Sequence, residues 1–212
     1  DWRMPSDAAA AAWLDELATP GSIETLCLRS CRLHDLDLGD RLAAFSRVAF
    51  VQTFPSNLRC VAHAKELTLG LYDPDAAIPV VALAGLGEVV HLERLAIEAA
   101  RGRFVAPGFM STLAATRLPA LRELSIVGES LWSVISALRG SPLLSTLRVL
   151  RVDAPISADD LERIAGCTPE LAHLERIELR FLPGHGTVAG LGPTMPGLPI
   201  TELGPMLPIC PY

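Results

Sequence analysis

Five histidines, His34, His63, His91, His173 and His185, and five cysteines, Cys27, Cys31, Cys60, Cys167 and Cys210, are the side chains of this chain best suited to metal or nucleophilic chemistry. A zinc site needs ligands paired a few residues apart, with a second pair within reach. The histidines lack that spacing, and Cys27 and Cys31 have no second pair beside them, so no metal is expected. Alternation with Leu26 and Leu28 puts Cys27 on the outer face of a strand, and Cys31 fills the slot after it. A reactive thiol needs a neighbouring base, which the flanking residues do not supply. Asp35, Asp37 and Asp40 alternate like calcium ligands but lack the length and closing glutamate of such a loop. Gly190-Leu191-Gly192 follows no suitable strand and opens no helix, so it makes no phosphate cradle. No Gly-x-Ser-x-Gly occurs, and no motif draws a serine, a histidine and an acid together. The expectation is a protein without a catalytic constellation or a cofactor.

Composition narrows the partners. Of the 212 residues 50% are hydrophobic but only 5% aromatic, which suits many small packing layers better than one core built around rings. The net charge is -6 and the signs alternate along the chain, so the clustered cations that phosphate binding requires are missing and nucleic acid is not expected. An odd number of cysteines at irregular spacing points to a reducing compartment, the cytoplasm. The longest apolar run, Ala76 to Val90, is too short for a membrane span and is broken by Pro79, Gly85 and Gly87.

The pattern apolar-x-x-apolar-x-apolar recurs as Leu92-Leu95-Ile97, Leu121-Leu124-Ile126, Leu147-Leu150-Val152 and Leu174-Ile177-Leu179, starting 29, 26 and 27 residues apart. Backward, Ala64-Leu67-Leu69 lies one 28-residue step earlier and Ile23-Leu26-Leu28 a further 41, a gap that holds either a longer helix or an extra, degraded unit. Forward, Ile200 to Leu203 begins a frayed last unit that Gly204 and Pro205 stop. Residues two apart in a strand share a face, so each unit offers one apolar face that it cannot bury alone. Stacked parallel strands complete one another's backbone hydrogen bonds, and the return segments cover the other side of the core. Those segments read as helices: Phe109 to Ala115, Leu131 to Leu138 before Gly140, and a helix capped by Ser157 with a Leu161, Ile164, Ala165 stripe before Gly166. Pro142, Pro169 and Pro196, spaced by 27 twice over, mark the turn back to each strand.

This pattern resembles the leucine-rich-repeat family, in its cysteine-containing and ribonuclease-inhibitor-like forms. Ile156 to Leu179 is similar to the repeat of F-box substrate receptors, and Ser141 to Leu147 to runs in bacterial leucine-rich-repeat proteins. The resemblance implies an α/β solenoid, a horseshoe with a parallel sheet on the concave face and helices on the convex face, of about six to seven repeats. It would occupy residues 1–189 with an N-terminal helix at 6–17, leaving 190–212 as a Pro/Gly-rich cap or tail. Ala100, Glu129, Pro155 and Leu182 stand where the family usually has Asn or Cys after each strand, so the side-chain ladder that satisfies those turns is missing.

What remains for function is the outward face of the strands. Its C-terminal half concentrates Arg151, Asp153, Arg176, Glu178, Arg180 and Phe181, with Arg94, Glu98 and Glu123 leading up to it. Arginine and aromatic residues are enriched in binding hot spots, but the same charges also serve by pairing across strands to keep the surface soluble. The leading expectation is a non-enzymatic module that binds a protein through the concave face. Asp1 is not a methionine, and the module is expected to be part of a larger protein or complex, such as its substrate-recognition part. The alternatives are a GTPase-activating or ubiquitin-ligase-associated component, and a purely structural solenoid segment.

Overall fold

The structure, a computed structural model, describes residues 12–14, 16, 24–30, 42–71, 78–99, 106, 108–153, 158–180 and 199–203. Its strands are β1 (Thr25–Arg29), β2 (Arg47–Val51), β3 (Glu66–Leu71), β4 (Arg94–Ala99), β5 (Glu123–Val127), β6 (Val149–Asp153), β7 (Arg176–Arg180) and β8 (Ile200–Leu203). They lie side by side in chain order as one 8-stranded sheet, and every neighbouring pair is parallel. The fold is α/β, in a solenoid-like arrangement.

One backbone contact repeats from strand to strand. The N–H groups of Glu93 and Arg94 both donate to the carbonyl of Lys65, at 2.8 and 2.9 Å. Those of Arg122 and Glu123 donate to Glu93, those of Arg148 and Val149 to Arg122, and those of Glu175 and Arg176 to Arg148. Each strand from β4 to β7 therefore begins on a carbonyl at the start of the one before it, and this locks the register. In that register the apolar residues fall into columns: Leu26, Val48, Leu67, Leu95, Leu124, Leu150 and Ile177 in one, and Leu28, Phe50, Leu69, Ile97, Ile126, Val152 and Leu179 in the next. A third, Phe45, Ala64, Leu92, Leu121, Leu147 and Leu174, precedes the strands, and all three are buried. Burying one such leucine or isoleucine stabilises by roughly 1.5–3 kcal/mol. At β8 the second column meets Glu202, opposite Leu179, and the apolar series ends there.

The returns close the other side of the core. Three are helical as expected: α1 (Phe109–Ala115), α2 (Leu131–Leu138), and the pair α3 (Ala158–Ala165) and α4 (Thr168–Leu171). The side chain of Ser130 caps α2 by accepting the Ser133 N–H at 3.1 Å, and Gly140, with φ of 67°, follows its end in the left-handed conformation. In α3 the expected stripe is corrected, because Ala165 is exposed while Ile164, Cys167 and Leu171 are buried. Ser157 lies outside the described residues. The earlier returns depart from the helical expectation, with 3-10 turns at Leu58–Val61, Val80–Leu83 and Leu86–Glu88. Pro79 and Gly85 account for the second and third, since a proline and a left-handed glycine (φ 75°) interrupt any longer helix.

Three further features bear on the expected repeat pattern. The 41-residue gap holds β2, whose Phe45, Val48 and Phe50 repeat the apolar pattern at a shorter spacing. The frayed last unit expected at Ile200 to Leu203 is β8, which joins the sheet beside β7. Three of the turns after the strands are satisfied by backbone, because Ser30, Gln52 and Gly128 donate their N–H groups to carbonyls at the end of the next strand, at Val51, Gly70 and Asp153. All three take positive φ, including the non-glycine Ser30 and Gln52, whose side chains hydrogen-bond to each other at 2.9 Å. Glu129 is buried, while Ala100, Pro155 and Leu182 lie outside the described residues. At the N-terminal side, residues 12–14 and 16 are helical, and Leu14 is buried in the core.

Gly85 and Gly140 separate two costs of replacing a left-handed glycine. A Cβ on Gly85 falls 1.8 Å from Asn57 Oδ1, the oxygen that caps the Arg59 N–H at 2.8 Å, whereas one on Gly140 meets nothing within 4 Å. Gly140→Ala is expected to lose about 1 kcal/mol from the backbone alone, and Gly85→Ala about 1 kcal/mol more because the cap is displaced as well. Urea unfolding of the two variants measures the difference.

Candidate functional site

With one face of the strands given to the core, the alternate residues face outward in three rows set by the register. The first row is Arg47, Glu66, Arg94, Glu123, Val149 and Arg176; the second is Ala49, Thr68, Ala96, Ser125, Arg151 and Glu178. In the third, Gly70, Glu98, Val127 and Asp153 follow Val51, and the row's register continues to position Arg180.

Charges of opposite sign alternate along the first row, so each meets its opposite one strand away. Arg47 pairs with Glu66 at 3.1 Å, Glu66 with Arg94 at 3.2 Å, and Arg94 with Glu123 at 3.8 Å. At β6 the first row carries Val149, and the series steps to the second row. Arg151 there bridges Glu123 at 2.6 Å and Glu178, and Arg176 closes on Glu178 at 2.5 Å. The result is an unbroken chain of seven residues across six strands, with every carboxylate held between two guanidiniums. Glu178 sits deepest, its side chain 6% exposed, while that of Arg94 is 56% exposed. Single exposed ion pairs stabilise little, but a burial as deep as that of Glu178 requires its partners.

Where the second row is small, at Thr68, Ala96 and Ser125, the surface dips into a depression of about 300 Å³. Glu66, Arg94 and Glu123 of the first row line it on one side, Glu98 and Asp153 of the third row on the other, and Arg151 follows in the second row. The structure thus brings five of the predicted site residues, Arg94, Glu98, Glu123, Arg151 and Asp153, to one depression, and Arg176 and Glu178 to the ion-pair chain that borders it. Arg180 is the register partner of Asp153, and Phe181 lies outside the described residues. Arg47, Glu66, Thr68, Ala96 and Ser125 belong to the same face but are absent from the sequence-predicted set. Their signal is positional: each stands in a register row that carries a predicted residue within the next three strands.

The groups that chemistry would use lie elsewhere. His63 and His91, far apart in sequence, occupy equivalent positions before β3 and β4 and stack with ring centroids 6.4 Å apart. His173 makes a 2.7 Å contact from Nε2 to the carbonyl of Leu144. Cys27 is exposed on β1, while burial pushes the Cys60 thiol up to about 11, against an ordinary 9.0. At neutral pH that thiol is protonated and unreactive. Behind the sheet, Arg139 after α2 grips Glu170 of α4 through two hydrogen bonds of 2.6 and 2.9 Å, which hold the glutamate below its ordinary carboxylate value. Arg163 of α3 lies 5.7 Å from the centre of the Trp132 ring. Among the described residues no cluster of three or more His, Cys, Asp or Glu is placed to hold a metal ion, and no helix is long and apolar enough to cross a membrane.

No family model and no curated protein matches the chain. Among solved structures, it is similar to a Bacteroides fragilis protein crystallised by the Northeast Structural Genomics Consortium, with a TM-score of 0.50 and 11% identity. The match covers 84% of this chain and 66% of that one, so the chain spans just under two thirds of its neighbour's length. At that identity the likeness is one of fold.

The depth of Glu178 sets an expectation for stability. Glu178→Ala strips two arginines of a buried partner and is expected to cost about 1–3 kcal/mol. Glu175→Ala, whose carboxylate is 71% exposed and 3.9 Å from Arg148, is expected to cost under about 0.5 kcal/mol. Thermal melts of both variants in low and high salt make the comparison.

Proposed function

We propose that this chain is a leucine-rich-repeat protein that binds another protein through the open face of its sheet, without catalysis. In this reading each strand with its return is one repeat, and the parallel strands line the concave side of a short horseshoe. Its support is the agreement between the apolar period and the strand register, together with the repeated backbone contact at the start of strands β4 to β7.

The observation that carries the functional reading is the depression over Thr68, Ala96 and Ser125, bounded by charged side chains on rigid strands. Side chains held by a hydrogen-bonded sheet lose little freedom when a partner docks, so more of the contact energy reaches the complex. Arginines in such a setting are frequent anchors of protein interfaces. Arg94 and Arg151 border the depression, with Arg47 and Arg176 extending the series on either side.

Photo-crosslinking tests this reading. A benzophenone amino acid is placed at Ala96 or Ser125, on the floor of the depression, or at Ser136, exposed on α2. In lysate of the source cells, protein adducts are expected from the two sheet positions and not from the helix position. Adducts from Ser136 alone, or none from either sheet position, would contradict it.

A further inference from the structure

On the open face, sign and exposure separate. Among the described side chains of β1 to β7, the charged ones that stand exposed on this face are all arginines: Arg29, Arg47, Arg94 and Arg176. Every acid there, Glu66, Glu98, Glu123, Asp153 and Glu178, is half-buried or buried. The flanking positions just before the strands carry both signs, paired as Lys65 with Glu93 and Arg148 with Glu175, so the separation belongs to the strand face itself. A chain with a net charge of -6 thus turns a guanidinium surface outward from its sheet.

The arrangement leaves donors to spare. A guanidinium carries five N–H donors in a fixed fork. Arg94 meets Glu66 through Nη1 and Glu123 through Nε, and more than half of its side chain remains in solvent. The sunken carboxylates hold the guanidiniums in place, which lowers the entropy lost when they engage a second anion. Arg47, Arg94 and Arg151 stand on alternate strands, so they recur about every 10 Å across the sheet, from the ~4.8 Å strand spacing.

We propose that this face takes an acidic segment of a partner protein, laid across the strands, with its carboxylates hydrogen-bonded to Arg47, Arg94, Arg151 and Arg176. The proposal rests on the reading of the face as a protein-binding surface and adds the chemistry of what it binds. A cationic partner is disfavoured because Glu66 and Glu123 are each already held by two arginines, and Glu98 and Asp153 are engaged as well. Nucleic acid is disfavoured because the described residues of the face include no aromatic ring on which a base can stack, and its acids lie beside the arginines on neighbouring strands.

Fluorescence anisotropy with a fluorescein-labelled Glu-rich peptide tests the proposal, beside a Lys-rich peptide of equal length and a single-stranded oligonucleotide. The Glu-rich peptide is expected to bind, to weaken with added salt, and to lose about tenfold in affinity in Arg47→Gln/Arg176→Gln. Those two arginines each hold one carboxylate at an end of the series, so the double variant keeps its inner pairs, which an unchanged circular dichroism spectrum checks. Should it misfold, the preference of the unaltered chain among the three probes decides. Tighter binding of the Lys-rich peptide or the oligonucleotide, no binding of the Glu-rich peptide, or undiminished affinity in a folded double variant would each overturn the proposal. Sheet-face photo-crosslinks without a preference for acid would overturn it while leaving the protein-binding reading intact; loss of those crosslinks would remove the reading itself.

Discussion

A single carbonyl just before each of the strands β2 to β6 receives two N–H groups from the start of the strand that follows, and the remaining architecture depends on that contact. It is seen from Lys65 through Glu93 and Arg122 to Arg148. Because it fixes register, a side chain chosen for one strand has a known neighbour on the next, and apolar residues at constant offsets become continuous columns. The same constraint reaches the outer face. A slip of one residue anywhere would turn core leucines to solvent and separate Glu66 from Arg94.

That link between core and surface explains why the charges are ordered. The outward positions have no packing duty, yet they inherit the spacing of the buried columns, so alternating Arg and Glu on successive strands produce neighbouring opposite charges. Where Val149 interrupts the first row, Arg151 takes up the connection from the second, and Glu178 is drawn down between two arginines. Small residues at Thr68, Ala96 and Ser125 leave room beside this line. Along this line the carboxylates are the more deeply set groups, and the guanidiniums of Arg47, Arg94 and Arg176 stand exposed.

Much of this was legible in the sequence because its signal is periodic. Leu95, Leu124, Leu150 and Ile177 announce parallel layers through their spacing, and Arg151 and Glu178 stand out through their positions between core residues. Strand β2 was legible only as one of two alternatives for the 41-residue gap. Phe45, Val48 and Phe50 carry the pattern, but they follow Ile23 by 22 residues and precede Ala64 by 19, because the return between β2 and β3 is a 3-10 turn rather than a helix. With β2 went Arg47 and the start of the ion-pair series. The short returns were not foreseen, because the individual effects of Asn57, Pro79 and Gly85 outweigh the helical average of the family pattern. The pairing of Glu123 with an arginine of another row could not be read from periodicity, since it depends on how far an arginine reaches diagonally across a strand.

Hydrogen-bond scalar couplings between backbone nitrogen and carbonyl carbon, measured by NMR on the deuterated chain, test the parallel stacking most directly. Couplings are predicted from the amide of Arg94 to the carbonyl of Lys65, from Glu123 to Glu93, from Val149 to Arg122 and from Arg176 to Arg148. Couplings that join these segments in antiparallel order, or that skip a neighbour in the chain, would contradict the account.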